Sequence, residues 1–171
     1  MVTLDPLATR LAGRIGARIV TESAQDGQTG GVAAGQAVLG REGRGGMLTV
    51  PGDIPCVTSA EVEAVLAAHL DAPAFTIVPA HDDLGSNAVV CSPPDAVTLR
   101  FGDNSFFPHL EAARRRGIEP TVIRLPGIAM DVDHPTDIAA LLRLPQSADT
   151  RTRAFLEAAG VPRLLAERGV S

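Results

Sequence analysis

The chain has 171 residues, 45% of them hydrophobic but only 3% aromatic, with no Trp or Tyr. That length is one domain, residues 1–171, with a core of Ala, Val, Leu and Ile that suits a mainly parallel sheet under alanine-rich helices. A formal net charge of -5 excludes general nucleic-acid binding, which needs a basic surface, and no apolar run approaches a membrane span. Cys56 and Cys91 are isolated, have no metal-ligand spacing and follow no signal peptide, so they read as reduced thiols of a cytoplasmic protein. All fifteen basic residues are arginine.

In chain order, residues 1–4 resemble a strand end, Asp5-Pro6 opens a helix to about Gly13, and residues 16–21 (GARIVT) read as a strand. Residues 22–31 form a polar loop before a helix from Val32 to about Leu39. Gly30 and Gly31 in that loop are placed to approach a nucleotide or simply to connect. Residues 46–50 (GMLTV) make a strand that ends at Asp53, in the turn before a helix. In that helix Thr58 and Glu61 form a capping box, and Val62, Val65, Leu66 and Leu70 make the buried face. Strands over 74–79 and 88–92 are too close in sequence for a crossover helix and should pair antiparallel. Between them lie His81, Asp82, Asp83, Gly85, Ser86 and Asn87.

A loop over 101–105 leads into a helix from Phe106 to about Arg116, with Ser105 or Asn104 as its cap. Arg114, Arg115 and Arg116 end it ahead of Gly117, where cations complement the helix dipole, so this run reads as a solvated helix end. His69 and His109 lack partners at a metal spacing and read as surface or partly buried residues. Residues 145–171 form a helical tail on a core of 1–144, with Phe155, Leu156, Leu164 and Leu165 packing inward.

Residues 126–137, PGIAMDVDHPTD, carry the chemistry. Read as a strand broken at Pro126-Gly127, this stretch would point Asp131 and Asp133 the same way at a strand's C-terminal end. Paired carboxylates call for a cation, and Mg²⁺ with a phosphate partner suits them. A structural reading stands beside it: Asp133 or His134 caps the next helix, with Pro135 in the first turn and Asp137 near its positive end. Asp53 supplies a second carboxylate at a strand end, where ligands bind in open α/β sheets.

The segments GDIP at 52–55, GSNA at 85–88, FGDNSF at 101–106, HLEAARRRGIE at 109–119 and LPGIAMDVDHPTDI at 125–138 together resemble the 2-phospholactate or phosphoenolpyruvate guanylyltransferases of coenzyme F420 biosynthesis. The resemblance runs from about Val2 to Leu144. It implies a three-layer, Rossmann-like nucleotidyltransferase fold, mostly parallel, with helices on both faces. Asp53, Asp131 and Asp133 would hold Mg²⁺, while Ser86, Gly102 and Ser105 would embrace the phosphorylated acid. The implied partners are GTP and phosphoenolpyruvate, 2-phospholactate or 3-phosphoglycerate. Attack of the acid's phosphate on the α-phosphorus of GTP, with loss of pyrophosphate, needs positioning and charge neutralisation but no general base.

Family members open with a strand, a basic glycine-containing loop and a helix, and this chain starts after them; the expectation is a chain lacking its N-terminal part. Where the family carries an Asn-bearing segment for guanine, this sequence has Thr29-Gly30-Gly31. A domain that binds the acid without catalysis is one alternative, and a GT-A-type nucleotide-sugar transferase another. A dehalogenase-type phosphatase is disfavoured because Pro135 occupies the fifth position of its motif, which also lies late in the chain. Unpaired strand edges would favour a homo-oligomer.

Overall fold

The computed structural model describes residues 1–21, 27–102 and 104–170. The first helix, α1 (Pro6–Arg14), has Pro6 at its start and the Asp5 carboxylate accepting the Ala8 N–H at 2.7 Å. Residues 16–21 do not form the expected strand. Only an isolated parallel bridge joins Val20 to Val2.

The next helix starts earlier than the sequence suggests. α2 spans Gly27–Arg41, so Gly30 and Gly31 lie inside its first turns and not in a loop; residues 22–26 lie outside the described residues. Thr29 explains part of this. Its Oγ1 accepts the Phe101 N–H at 2.9 Å and reaches the Phe101 carbonyl at 3.2 Å, tying the helix start to a distant loop.

The sheet comprises β1 (Met47–Thr49), β2 (Ala74–Pro79), β3 (Ser86–Ser92) and β4 (Thr121–Val122), in the order β1-β3-β2-β4. β3 runs antiparallel to both β1 and β2, while β2 and β4 are parallel. The sheet is therefore mixed, which corrects the mostly parallel expectation, whereas the antiparallel β2–β3 pair was legible from its short connection. The register shifts between Val78 and Pro79, a bulge at the sheet end that carries Ser86 and Asn87.

Alternation along β2 and β3 sorts their side chains into two cores. Phe75, Ile77, Val89 and Cys91 pack with Leu110 and Ala113 of α4 (Phe106–Arg115) and with Val32 and Leu39 of α2. Val78, Ala88 and Val90 pack with Val65 of α3 (Ser59–Ala67) and Ile128 of α5 (Pro126–Ala129). A third cluster joins Cys56 and Met130 to Leu141 of α6 (Pro135–Arg143) and Leu156 of α7 (Arg151–Ala158). Both cysteines are buried free thiols, and burial pushes Cys91 up to about 12.

Several apolar side chains expected inside lie outside. Leu66 and Leu70 are 50% and 66% exposed, and Phe155 of α7 and Leu164 of α8 (Val161–Glu167) are 69% and 50% exposed. Helical periodicity marks a stripe, but α3 ends at Ala67, short of Leu70, and helices of two turns bury only the centre of the stripe. The arginine run behaves as read: Arg114 pairs with Glu119 and Arg115 with Glu111, and Gly117 closes the helix at φ 75°.

The Thr58–Glu61 box is half made. Thr58 Oγ1 accepts the Glu61 N–H at 3.2 Å, but the Glu61 carboxylate turns away to accept the Gly127 N–H at 2.7 Å. Thr58→Ala should cost about 1 kcal/mol through this cap and leave ligand binding unchanged, as urea unfolding beside a binding titration would show.

Candidate active site

Pro126 determines the first departure that matters for function. Its fixed φ suits a helix start, and Glu61 satisfies the Gly127 amide behind it, so residues 126–129 coil into α5 where a strand was expected. The chain then runs without regular structure from Met130 to Asp133 into α6. Three hydrogen bonds fix the end of α5. The Asn87 amide donates to the carbonyls of Ile128 at 3.0 Å and Ala129 at 3.1 Å, and the His81 N–H donates to Ala129 at 2.9 Å.

From there Asp131 and Asp133 both reach one cleft of about 610 Å³, a size suited to a small ligand. Asp53 after β1, Ser86 at the start of β3, and Gly102 and Ser105 before α4 line the same cleft. All six residues come from four separate segments of sequence. Gly30 and Gly31 are not brought there: Gly31 lines a second, more apolar cavity of about 780 Å³ between α1, α2 and β1, and Gly30 lines neither.

The cleft is strongly acidic. Asp53, Asp82, Asp131, Asp133 and Asp137 line it, with no arginine among its described residues. Desolvation, then repulsion from Asp131 and Asp53, holds the Asp133 carboxyl above the usual carboxylate range. Asp137 is also structural, because its Oδ2 accepts the amides of Asp133 at 3.0 Å and His134 at 2.7 Å at the start of α6. Capping and acidity therefore coexist in this segment, with Asp137 doing the capping and Asp131 and Asp133 left to the cleft.

Among the described residues no three His, Cys, Asp or Glu side chains converge into a ready-made metal cluster. The donor set nevertheless fits a hard cation. Its atoms are carboxylate oxygens, and Mg²⁺ usually takes only one or two of these beside water and substrate phosphate.

Sequence reasoning passed over three residues at this site. His81 lies between Asp131, 3.4 Å from its Nδ1, and Asp137, 3.6 Å from its Nε2. Asn87, 4% exposed, carries the Asp131 segment, and only its place in a polar hairpin could have marked it. His109, read as a surface or partly buried residue, is 1% exposed. Its Nε2 accepts the Arg100 N–H at 2.9 Å and its Nδ1 lies 3.0 Å from Ser86 Oγ, which also contacts Ser105 Oγ at 3.1 Å. Ser105 stands at the N-cap of α4 but makes no capping bond, because its hydroxyl faces Ser86 instead. Gly102 adopts φ 137°, a conformation that only glycine holds readily.

Burial lowers the His109 pKa to about 4 from 6.5, and it lowers that of His69, which bonds Thr76 and Ser92. The unfolded chain therefore binds protons first as pH falls below 6.5. Stability is complete above that pH and declines toward pH 4, His109 alone accounting for about 3 kcal/mol. Denaturant unfolding across pH 4–7 should show this slope in the wild type and a shallower one in His109→Gln.

The guanylyl transferase CofC-like family model matches residues 11–165. The chain belongs to that family. This CofC-like chain is 40% identical over 100 residues to phosphoenolpyruvate guanylyltransferase of Rubrobacter xylanophilus, covering 58% of this chain and 49% of the relative. It is 34% identical over 141 residues to the enzyme of the same name from Sphaerobacter thermophilus, covering 82% of this chain and 67% of that one. The CofC-like chain thus spans between about half and two thirds of the length of these curated relatives. Its fold resembles that of a provisional nucleotide-diphospho-sugar transferase from Desulfovibrio desulfuricans, with a TM-score of 0.70, 19% identity, and coverage of 94% of this chain and 72% of the other. No described helix is long and apolar enough to cross a membrane.

Proposed function

We propose that the cleft transfers GMP from GTP to the phosphate of a phosphorylated three-carbon acid, releasing pyrophosphate, as a step in coenzyme F420 biosynthesis. The observation that carries this reading is the meeting of Asp53, Asp131 and Asp133 with Ser86, Gly102 and Ser105 in one cavity. Phosphoenolpyruvate is the favoured acid, since the two relatives act on it by name. The sheet between the α2/α4 and α3/α5 cores supports a three-layer nucleotidyltransferase fold.

The chemistry follows from charge. An acidic cleft with no arginine among its described lining residues repels a triphosphate and a phosphorylated acid unless a cation accompanies them. Asp53, Asp131 and Asp133 would hold Mg²⁺, which when bound supplies the positive charge that lets two anions meet and that stabilises the leaving pyrophosphate. Ser86 and Ser105 offer hydroxyls, and the loop at Gly102 offers backbone, to the acid's oxygens. A phosphate oxygen of the acid, already ionised at neutral pH, forms the new P–O bond at the α-phosphorus while the α–β P–O bond breaks. No side chain has to remove a proton, so the protein's task is orientation.

Pyrophosphate release by the 171-residue chain, assayed with Mg²⁺, each common NTP and each of the three acids in turn, tests the reading. Release confined to GTP with one acid supports it. Calorimetric binding of an acid without release from any pair would make this a binding module and overturn it.

A further inference from the structure

Ser86 and His109 lie close enough to suggest a nucleophile and its base, but the hydrogen bonds give the opposite polarity. The Arg100 N–H can only donate, so Nε2 of His109 must be the unprotonated nitrogen. The imidazole is neutral, since burial holds it well below its ordinary range. Its one N–H is therefore at Nδ1 and donates to Ser86 Oγ. A histidine in that tautomer cannot take the Ser86 proton, and Ser86 is no nucleophile.

The Ser86–Ser105 contact at 3.1 Å uses one of the two hydroxyl protons. The other has no acceptor among the described residues, and both serines line the cleft. Arg100 adjoins Phe101, whose ring packs edge-on against His109 with centroids 5.1 Å apart, so the same imidazole also anchors the loop that carries Gly102.

We propose that His109 is a positioning residue that orients the Ser86–Ser105 hydroxyl pair, through its Nδ1–H, so that one O–H faces the cleft to donate to an anionic oxygen of the phosphorylated acid. This rests on the guanylyl-transfer reading for the identity of the ligand, but not for the tautomer.

Two amide variants divide the imidazole's roles. In His109→Asn the amide nitrogen replaces Nδ1 and keeps the donor to Ser86. In His109→Gln the amide oxygen replaces Nε2 and keeps the acceptor for Arg100 while losing that donor. Titrating Mg²⁺ and phosphoenolpyruvate, then 2-phospholactate and 3-phosphoglycerate, into folded protein should show affinity about tenfold weaker in His109→Gln and nearly unchanged in His109→Asn. His109→Gln should add nothing in a Ser86→Ala background. Equal losses in the two variants, or additive losses with Ser86→Ala, would overturn the proposal. Nitrogen-15 NMR of the histidine rings at pH 7 needs no ligand: an Nδ1–H tautomer at His109 is expected, and an Nε2–H tautomer would refute the relay. If no acid binds the wild type while the Nδ1–H tautomer is present, the transfer reading fails, and the donor role toward an acid fails with it.

Discussion

Replacing Asp131 by Asn should lower the proposed Mg²⁺-dependent GMP transfer by about a thousandfold or more, roughly 4 kcal/mol of transition-state stabilisation, and leave the folded state intact. Asn has the shape of Asp and keeps one acceptor oxygen for the long contact with His81, so the change is almost wholly one of charge. That charge is what the account requires of the residue. Asp131 is 20% exposed and raises the Asp133 carboxyl by repulsion. The variant should therefore relax Asp133 toward its ordinary range and keep or slightly raise the melting temperature. Initial rates at saturating Mg²⁺ beside a thermal melt separate the two effects. A variant that melts normally and turns over at the wild-type rate removes Asp131 from the metal assignment. Asp133→Asn should behave alike, without disturbing the Asp133 N–H bond to Asp137 that starts α6.

The second large effect lies outside the cleft. Gly127→Ala places a Cβ inside contact distance of both the Cys56 carbonyl oxygen and the Glu61 carboxylate. The carboxylate can move only by giving up the Gly127 N–H, and its Oε2 is already buried without a partner among the described residues. The Cys56 carbonyl is backbone beside a buried side chain and has less freedom still. The short helix α5 has to shift, and with it the Ile128 and Ala129 carbonyls that Asn87 and His81 hold. A cost of about 3 kcal/mol follows, typical of overpacking where backbone cannot yield. Because Asp131 and Asp133 follow directly, activity measured well below the melting temperature should fall too. A Gly127→Ala protein with unchanged stability would mean that α5 is not braced as described.

The residues of the candidate cleft were easier to single out in the sequence than the fold around them. Asp53, Asp131, Asp133, Ser86, Gly102 and Ser105 could be singled out because each falls in a short motif of the family resemblance, and the fold brings all six to one cleft. The path that brings them there was not legible. Pro126-Gly127 inside an apolar run read as a broken strand, whereas a carboxylate from Glu61, far away in sequence, turns it into a helix start. That same diversion left the Thr58 capping box half made. Gly30 and Gly31 read as loop because glycine is a poor helix former, but tertiary bonds from Thr29 to Phe101 pin the start of α2. His109 gave no signal of its role, since its partners Ser86 and Arg100 lie 23 and 9 residues away. The mostly parallel expectation failed on β3, which returns through a short hairpin and reverses direction.

The measurement closest to the central claim is phosphorus-31 NMR of the 171-residue chain incubated with GTP, Mg²⁺ and phosphoenolpyruvate. Transfer as described consumes the three GTP resonances and the phosphomonoester signal together, and yields pyrophosphate with a new pair of coupled diphosphate resonances from the guanylylated acid. Resonances of GTP and phosphoenolpyruvate that persist unchanged in the presence of folded protein, or pyrophosphate appearing with GMP and no new P–O–P linkage, would contradict it.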